Sequence, residues 1–253
     1  MNANMPALLD PPSSSSVAES KAERAARAVG CPAWKRGIDV TLVLLTLPIW
    51  LPIMILLACG IKLVSPGCVF FRQERIGLNG RHFTLLKFRS MKMHVATNVH
   101  ETHFGSLIQT DRPMTKLDAR DPRIIPLGRL LRASGLDELP QIFNVLAGDM
   151  SLVGPRPCTP HELSCYEPWQ RARFNALPGL TGYWQVHGKN RTTFSEMINM
   201  DIHYVRSMSL GMDLSIMLMT FPTIMGQVLE VRQKNRREGQ RREPSHEPIP
   251  QEV

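Results

Sequence analysis

Several common devices are missing from this 253-residue chain. It has no G-x-G-x-x-G and no G-x-x-x-x-G-K-[ST] stretch, so no glycine-rich loop of the dinucleotide or P-loop kind is present to cradle a phosphate. Its five cysteines, Cys31, Cys59, Cys68, Cys158 and Cys165, are an odd number without a C-x-x-C pair. That argues against a secreted disulfide framework and for a reducing compartment. Neither Cys158, His161 and Cys165 nor His94, His100 and His103 shows zinc-site spacing with a fourth partner. No recognisable nucleic-acid reading motif is present, so nucleic acid is not an expected partner despite the basic balance. Between Asp39 and Lys62 there is no charged residue at all.

That uncharged run, Val40 to Val64 with Lys62 its first charge, matches the roughly 20 apolar residues needed to enter or cross a bilayer as a helix. The first apolar run begins too late, and lacks the small-residue cleavage site, for a cleavable signal. Pro48 and Pro52 sit near the middle of the run, where each removes a backbone donor and bends a helix. Cations lie on both sides, Lys35 and Arg36 before it and Lys62, Arg72 and Arg75 after it, whereas a crossing helix shows a bias to one side. A straight crossing and a re-entrant helix broken at the prolines both remain open on these residues. Asp39 reads as neutralising the Lys35 and Arg36 cluster at the interface.

The 30 Lys plus Arg against 22 Asp plus Glu leave a formal charge of +8, which suits an anionic membrane surface or a phosphorylated substrate. Five of the cations, Arg72, Arg75, Arg81, Lys87 and Arg89, fall just after the apolar run, within a hairpin pattern: Val69 to Arg72 and His82 to Phe88 around Gly77, Asn79 and Gly80. Residues 93 to 118 read as a mobile loop long enough for a lid. From Ile124 a helical face carries Ile124, Leu127, Leu130 and Leu131, with Arg129 and Arg132 on another face.

Ser134 to Leu146 then places Asp137 and Glu138 in what reads as the first turn of a helix, followed by a glycine and proline turn carrying Arg156. On residue type alone, acids at a helix start are caps. Carboxylates beside arginines are equally the equipment for displacement at phosphorus, where positioning and charge neutralisation dominate and a carboxylate can be the nucleophile. Further on, residues 159 to 177 suit a helix broken by Pro168. Thr193 to Glu196 is a capping box before a helix with Asp201, His203 and Tyr204. Leu210 to Leu229, with Asp213 and Pro222, suits an amphipathic helix lying on the bilayer rather than a second span.

Seven blocks in one order resemble the bacterial sugar transferases of the monotopic phosphoglycosyl transferase superfamily. They are Lys35-Arg36-x-x-Asp39, Phe71-x-Gln73-Glu74-Arg75-Ile76-Gly77, Lys87-Phe88-Arg89-Ser90-Met91, Asp137-Glu138-Leu139-Pro140-Gln141, Asn144-Val145-Leu146, Gly148 to Pro157, and Pro178-Gly179-Leu180-Thr181-Gly182. The resemblance implies a Mg2+-dependent enzyme that transfers a sugar 1-phosphate from a UDP-sugar to undecaprenyl phosphate, releasing UMP, in exopolysaccharide, capsule, O-antigen or glycoprotein glycan assembly. It implies Asp137 as nucleophile and metal partner, Glu138 as the second acid, and Arg132, Arg156, Lys87 and Arg89 as phosphate-binding groups. Asp201 and Arg75 are weaker candidates. It favours a re-entrant helix broken at Pro48 and Pro52, monotopic in the bacterial cytoplasmic membrane with the catalytic domain facing the cytoplasm.

The chain is therefore expected to be α+β and mostly helical. Residues 1–32 form a disordered lead-in with a short helical pattern over Glu19 to Arg27, and 33–64 a re-entrant membrane helix. Residues 65–230 form a cytoplasmic transferase domain, with a small β-hairpin and interfacial amphipathic helices around a catalytic core, and 231–253 a disordered tail. Membrane lipid is an expected partner, and the sequence leaves a homo-oligomer open. Two departures from the family pattern stand out: Leu51-Pro52 where some members have Ser-Pro, and Tyr183-Trp184-Gln185-Val186-His187 where Trp-Ala-Gln-Val-Asn is more usual. The rival reading is a non-catalytic scaffold binding anionic lipid or a partner protein, which explains the charge and the apolar run but not an acid pair near Arg132 and Arg156.

Overall fold

The computed structural model describes residues 30–92, 113, 123–188 and 191–240; nearly all of the expected lead-in and of the 93–118 loop, with His94, His100 and His103, lie outside them. Helix α1 (Ala33–Leu45) buries Lys35, Asp39 and Val43, four residues apart and so on one face. Helix α2 (Leu47–Val64) buries Trp50, Met54 and Ile61 and exposes most of its other apolar side chains, Leu56 and Leu63 among them. The break between them falls at Thr46, ahead of both prolines, Pro48 and Pro52, at which it was expected. Pro48 has no amide for the carbonyl of Leu44, so the helix stops ahead of it and restarts with Pro48 in the first turn, where no intrahelical donor is needed. Pro52 is carried inside α2.

Across the break, the Trp50 indole N–H donates to the Val43 carbonyl at 2.9 Å, and its ring meets Phe143 edge-on at 5.9 Å. Trp50→Phe keeps the ring contact and loses the hydrogen bond. It should destabilise the protein by about 1 kcal/mol, read as a lower melting temperature in detergent.

Both ends of the α1–α2 pair are tied to one body. At the first, Arg36 donates to the carbonyls of Val145 and Leu146, Asp39 Oδ1 accepts from the Leu152 amide at 3.0 Å, and Lys35 pairs with Asp213. At the second, the buried Arg89 donates to the carbonyls of Ser65 and Pro66, both at 2.8 Å.

Strands β1 (Phe70–Ile76) and β2 (His82–Phe88) form the expected antiparallel hairpin, in register from Phe70 opposite Phe88 to Ile76 opposite His82. Its loop is a 3-10 turn, Leu78–Gly80, with Asn79 and Gly80 at φ 54° and 76°. Helix α3 (Gly128–Ser134) starts four residues later than expected. Pro126 turns the preceding backbone away from helix, and Ile124 instead bridges Met91 while the Ile125 amide bonds Ser90. Helix α4 (Gln141–Ala147) docks on β2 through Asn144, whose amide donates to the Thr84 carbonyl at 2.7 Å and accepts from the Leu86 amide at 3.0 Å.

Strands β3 (Ser151–Val153) and β4 (Gly179–Thr181) pair in parallel. Between them the expected helix over 159–177 is two pieces, α5 (Pro160–Ser164) and a 3-10 helix, Pro168–Asn175, because Pro168 starts a new turn. Helices α6 (Tyr183–His187), α7 (Phe194–Ser207) and α8 (Leu210–Gln240) complete the described chain, α7 opening with the expected Thr193–Glu196 capping box.

Helix α8 runs through Gln240, ten residues past the expected start of a disordered tail at Val231. Glu, Arg, Lys and Gln there are good helix formers, and the next proline is Pro244. Leu47–Val64 and Leu210–Leu229 are each long and apolar enough to cross a membrane, and most of each stretch is not buried.

Candidate active site

The acid pair does not open an α-helix. Gly135, left-handed at φ 72°, ends α3, and Asp137 and Glu138 stand in a separate 3-10 turn, Leu136–Glu138, before Pro140 and α4. Four amides there bond to backbone: Glu138 to the Gly135 carbonyl at 3.0 Å, Leu139 to Leu136 at 3.2 Å, Ile142 to Leu139 and Phe143 to Pro140, both at 3.1 Å. Both acids stand half-buried at the surface. Glu138 Oε1 receives Lys87 Nζ from β2 at 2.9 Å.

Arg132 lies in the last turn of α3, one turn before the acids, and is half-buried. Arg156 leaves β3 in the Gly154-Pro155-Arg156-Pro157 turn and donates from Nη1 to Glu162 Oε2 at 3.2 Å. Arg75, on β1, donates to the Pro157 carbonyl at 3.1 Å and to Gln73 Oε1 at 2.7 Å, and its Nη1 lies 3.8 Å from Glu162 Oε1. Burial, then the Arg156 charge, brings Arg75 down to about 10, opposed by Glu162 and also by Glu138. Lys87 pairs opposite Phe71, four residues from Arg75, so Lys87 and Arg75 lie on the same face of the β1–β2 hairpin, which carries both the partner of the acid turn and the Arg75–Glu162–Arg156 cluster as one neighbourhood.

That neighbourhood is held by a close crossing of glycines. A Cβ built on Gly179 would lie 2.0 Å from the Gly154 nitrogen, and one on Gly182 would lie 2.2 Å from the Gly154 oxygen. Only glycine lets the arginine-bearing turn and the Pro178–Gly182 turn pass this closely.

Two expected site residues stand elsewhere. Arg89 is buried on the Ser65 and Pro66 carbonyls, so it clamps the end of α2 instead of presenting its guanidinium beside Lys87. Asp201 is buried against Arg173, whose other contacts are the Tyr166 hydroxyl and the Arg156 carbonyl at 2.7 Å. Asp201 therefore acts from behind, holding the arginine that holds the Arg156 backbone. Asp201→Asn leaves the Arg173 charge buried with a weakened partner and should cost about 3 kcal/mol, read as a fall in melting temperature.

Glu162 is the site residue that the sequence reading missed. Its signal was Thr159-x-x-Glu162, a capping-box spacing, and Thr159 Oγ1 does accept the Glu162 amide at 3.0 Å. The carboxylate, however, turns inward to the two arginines. Burial pushes the Cys158 thiol up to about 11, so it is not a nucleophile near neutral pH. Among the described residues, no group of three or more His, Cys, Asp or Glu side chains could hold a metal ion.

The arrangement can hold anionic oxygens on Lys87 and the arginines beside an accessible carboxylate, which is what phosphoryl chemistry requires. The chain is 38% identical over 193 residues to an exopolysaccharide production protein, ExoY, of Sinorhizobium fredii, covering 75% of this chain and 84% of that one. It is 43% identical over 184 residues to a UDP-glucose:undecaprenyl-phosphate glucose-1-phosphate transferase of Xanthomonas campestris, covering 70% of this chain but 35% of that protein. A protein of the same name from Caulobacter vibrioides is 40% identical over 200 residues, covering 76% of this chain and 69% of the other. The family model for bacterial sugar transferases matches residues 31–227, a span that takes in α1 and α2, the acid turn and the glycine crossing alike, and the chain belongs to that family.

Proposed function

We propose that this protein is a phosphoglycosyl transferase that moves a sugar 1-phosphate from a UDP-sugar to undecaprenyl phosphate. The observation that carries the reading is the half-buried acid turn, held to Lys87 through Glu138 and carried on the same hairpin face as the Arg75–Glu162–Arg156 cluster. The relatives named as UDP-glucose:undecaprenyl-phosphate glucose-1-phosphate transferases support the substrates, and the exopolysaccharide protein supports a place in polysaccharide assembly.

Asp137 attacks the phosphorus that bears the sugar. The bond from that phosphorus to the bridging oxygen breaks, and UMP leaves with that oxygen. An oxygen of undecaprenyl phosphate then attacks the same phosphorus, the bond to Asp137 breaks, and the carboxylate is restored. Arg132, Arg156 and Lys87 neutralise phosphate oxygens, and Glu138, held by Lys87, takes the proton of undecaprenyl phosphate in the second displacement or acts as a metal partner.

The acid pair fits Mg2+, which is bound through one or two carboxylates and completes its shell with substrate phosphate and water. Asp137 and Glu138 would hold it, and when bound it neutralises diphosphate charge.

In this reading α1 and α2 dip into the cytoplasmic membrane and return, and the catalytic domain faces the cytoplasm. The bonds that tie both ends of the pair to one body support this. On α8, the exposed row Leu214, Leu218, Phe221, Met225 and Leu229 supports contact with the same bilayer face.

The test is UMP release from a panel of UDP-sugars by the detergent-purified protein with Mg2+ and undecaprenyl phosphate. Release with one donor is expected. Release with none returns the chain to the scaffold reading.

A further inference from the structure

Helix α4 leaves one large apolar side chain in the open. Gln141, Ile142, Asn144 and Val145 are buried, whereas Phe143 is 37% exposed. Asn144 is spent on β2, and Ile142 and Val145 on the core. A single exposed apolar residue is ordinary. What sets Phe143 apart is what stands on either side of it.

On one side is the acid turn. The Phe143 amide bonds the Pro140 carbonyl at 3.1 Å, which places the residue in the first turn of α4, directly after Asp137, Glu138 and Pro140. On the other side is the membrane helix pair. The Phe143 ring meets Trp50 of α2 edge-on at 5.9 Å, and Trp50 is itself fixed on the Val43 carbonyl of α1. Next to Trp50 along α2, Ile49, Leu51 and Ile53 are exposed. Phe143 is thus an apolar step between the acids and the surface that α2 offers to a bilayer.

Undecaprenyl phosphate has an ionic end and an apolar chain. When its phosphate reaches the phosphorus held at Asp137, its chain must run from the acid turn back to the bilayer. Isoprene carbons crossing that stretch in water would lose the burial they had in lipid, and an apolar ring at the crossing restores part of it. The contact with Trp50 holds the ring in place, so little ordering remains to be done on binding.

We propose that Phe143 binds the first isoprene units of undecaprenyl phosphate and so directs its phosphate to the acid turn. This rests on the proposed acceptor, and it concerns the second displacement alone, since a UDP-sugar has no apolar chain to lay on the ring. The alternative is that Phe143 only packs α4 against α2. Its loss would then disturb both displacements alike.

The test separates the two half-reactions in Phe143→Ala, on the whole chain in detergent with Mg2+. Labelling of the protein by a donor labelled in the sugar, without acceptor, should stay within about twofold of the parent, while the KM for undecaprenyl phosphate at fixed detergent should rise about tenfold, as for a lost apolar contact. Phe143→Leu keeps an apolar surface and should return that KM to within about threefold of the parent. An unchanged acceptor KM in a folded Phe143→Ala overturns the proposal, and so does an equal fall in labelling and in transfer. Should the alanine variant fail to fold, Phe143→Gln, similar in length and a good helix former, is judged by the same outcomes. A parent that takes label but passes it to no polyprenyl phosphate overturns the acceptor contact and leaves the Asp137 chemistry standing. A parent that takes no label and releases no UMP overturns both.

Discussion

Asp137→Asn should reduce UMP release by at least about a thousandfold while leaving the melting temperature within a few degrees of the parent. The two halves of this expectation have separate causes. An amide is nearly isosteric with the carboxylate but is a very poor nucleophile toward phosphorus, so the first displacement fails. The 3-10 turn that carries Asp137 is closed by backbone bonds from Glu138 to Gly135 and from Leu139 to Leu136, and the asparagine keeps the shape of the acid within it. Glu138→Gln should cost less, about a hundredfold, because it removes a proton acceptor and the partner of Lys87 but not the attacking atom. With a donor labelled in the sugar and no undecaprenyl phosphate, the parent should retain label on the protein and Asp137→Asn should not. Turnover of Asp137→Asn within tenfold of the parent would rule out a covalent intermediate on this residue.

Gly179→Ala should remove folded protein altogether. The added methyl would lie 2.0 Å from the Gly154 nitrogen, 2.2 Å from the Thr181 oxygen and 2.7 Å from the Gly154 Cα, all backbone atoms that cannot swing aside. Relief requires β3 and β4 to part. That breaks the bonds from Ser151 to Pro178, Gly154 to Thr181 and Gly179 to Pro155, each 2.9 Å long. At about 1 kcal/mol apiece, with the strain added, the loss is a large fraction of a typical domain's stability. The parting would also move the Gly154–Pro157 turn and so Arg156. Gly226→Ala on α8 is the control: nothing lies within 4 Å of its added methyl, and helix propensity predicts a gain of up to about 1 kcal/mol. A Gly179→Ala protein that expresses and melts like the parent would mean that the crossing is looser than described.

Much of the local structure was legible from residue types. The hairpin followed from two β-prone runs around Gly77, Asn79 and Gly80, and the start of α7 from Thr193 and Glu196, because turn and cap chemistry act within a few residues. Where local signals competed, position was lost. Pro48 and Pro52 marked a break, yet the chain turned at Thr46 and carried Pro52 inside α2. Ile124 had a helical pattern, yet pairing with Met91 and the presence of Pro126 held it extended. The acids looked like a helix start, and Gly135 and Pro140 isolated them in a turn of their own.

What the sequence determined by itself is what depends on neighbours in the chain: an uncharged run suited to a bilayer, an acid pair, a glycine and proline turn with an arginine, and the order of motifs that places the chain among bacterial sugar transferases. Only the tertiary structure decided which charges act together. Lys87 meets Glu138 across 51 positions and Arg75 meets the Pro157 carbonyl across 82, while Arg89 and Asp201 are drawn into buried supports. A side chain's type sets what it can bind. Its partner is set by burial, because a charge taken out of water is held only beside a group that packing brings to it.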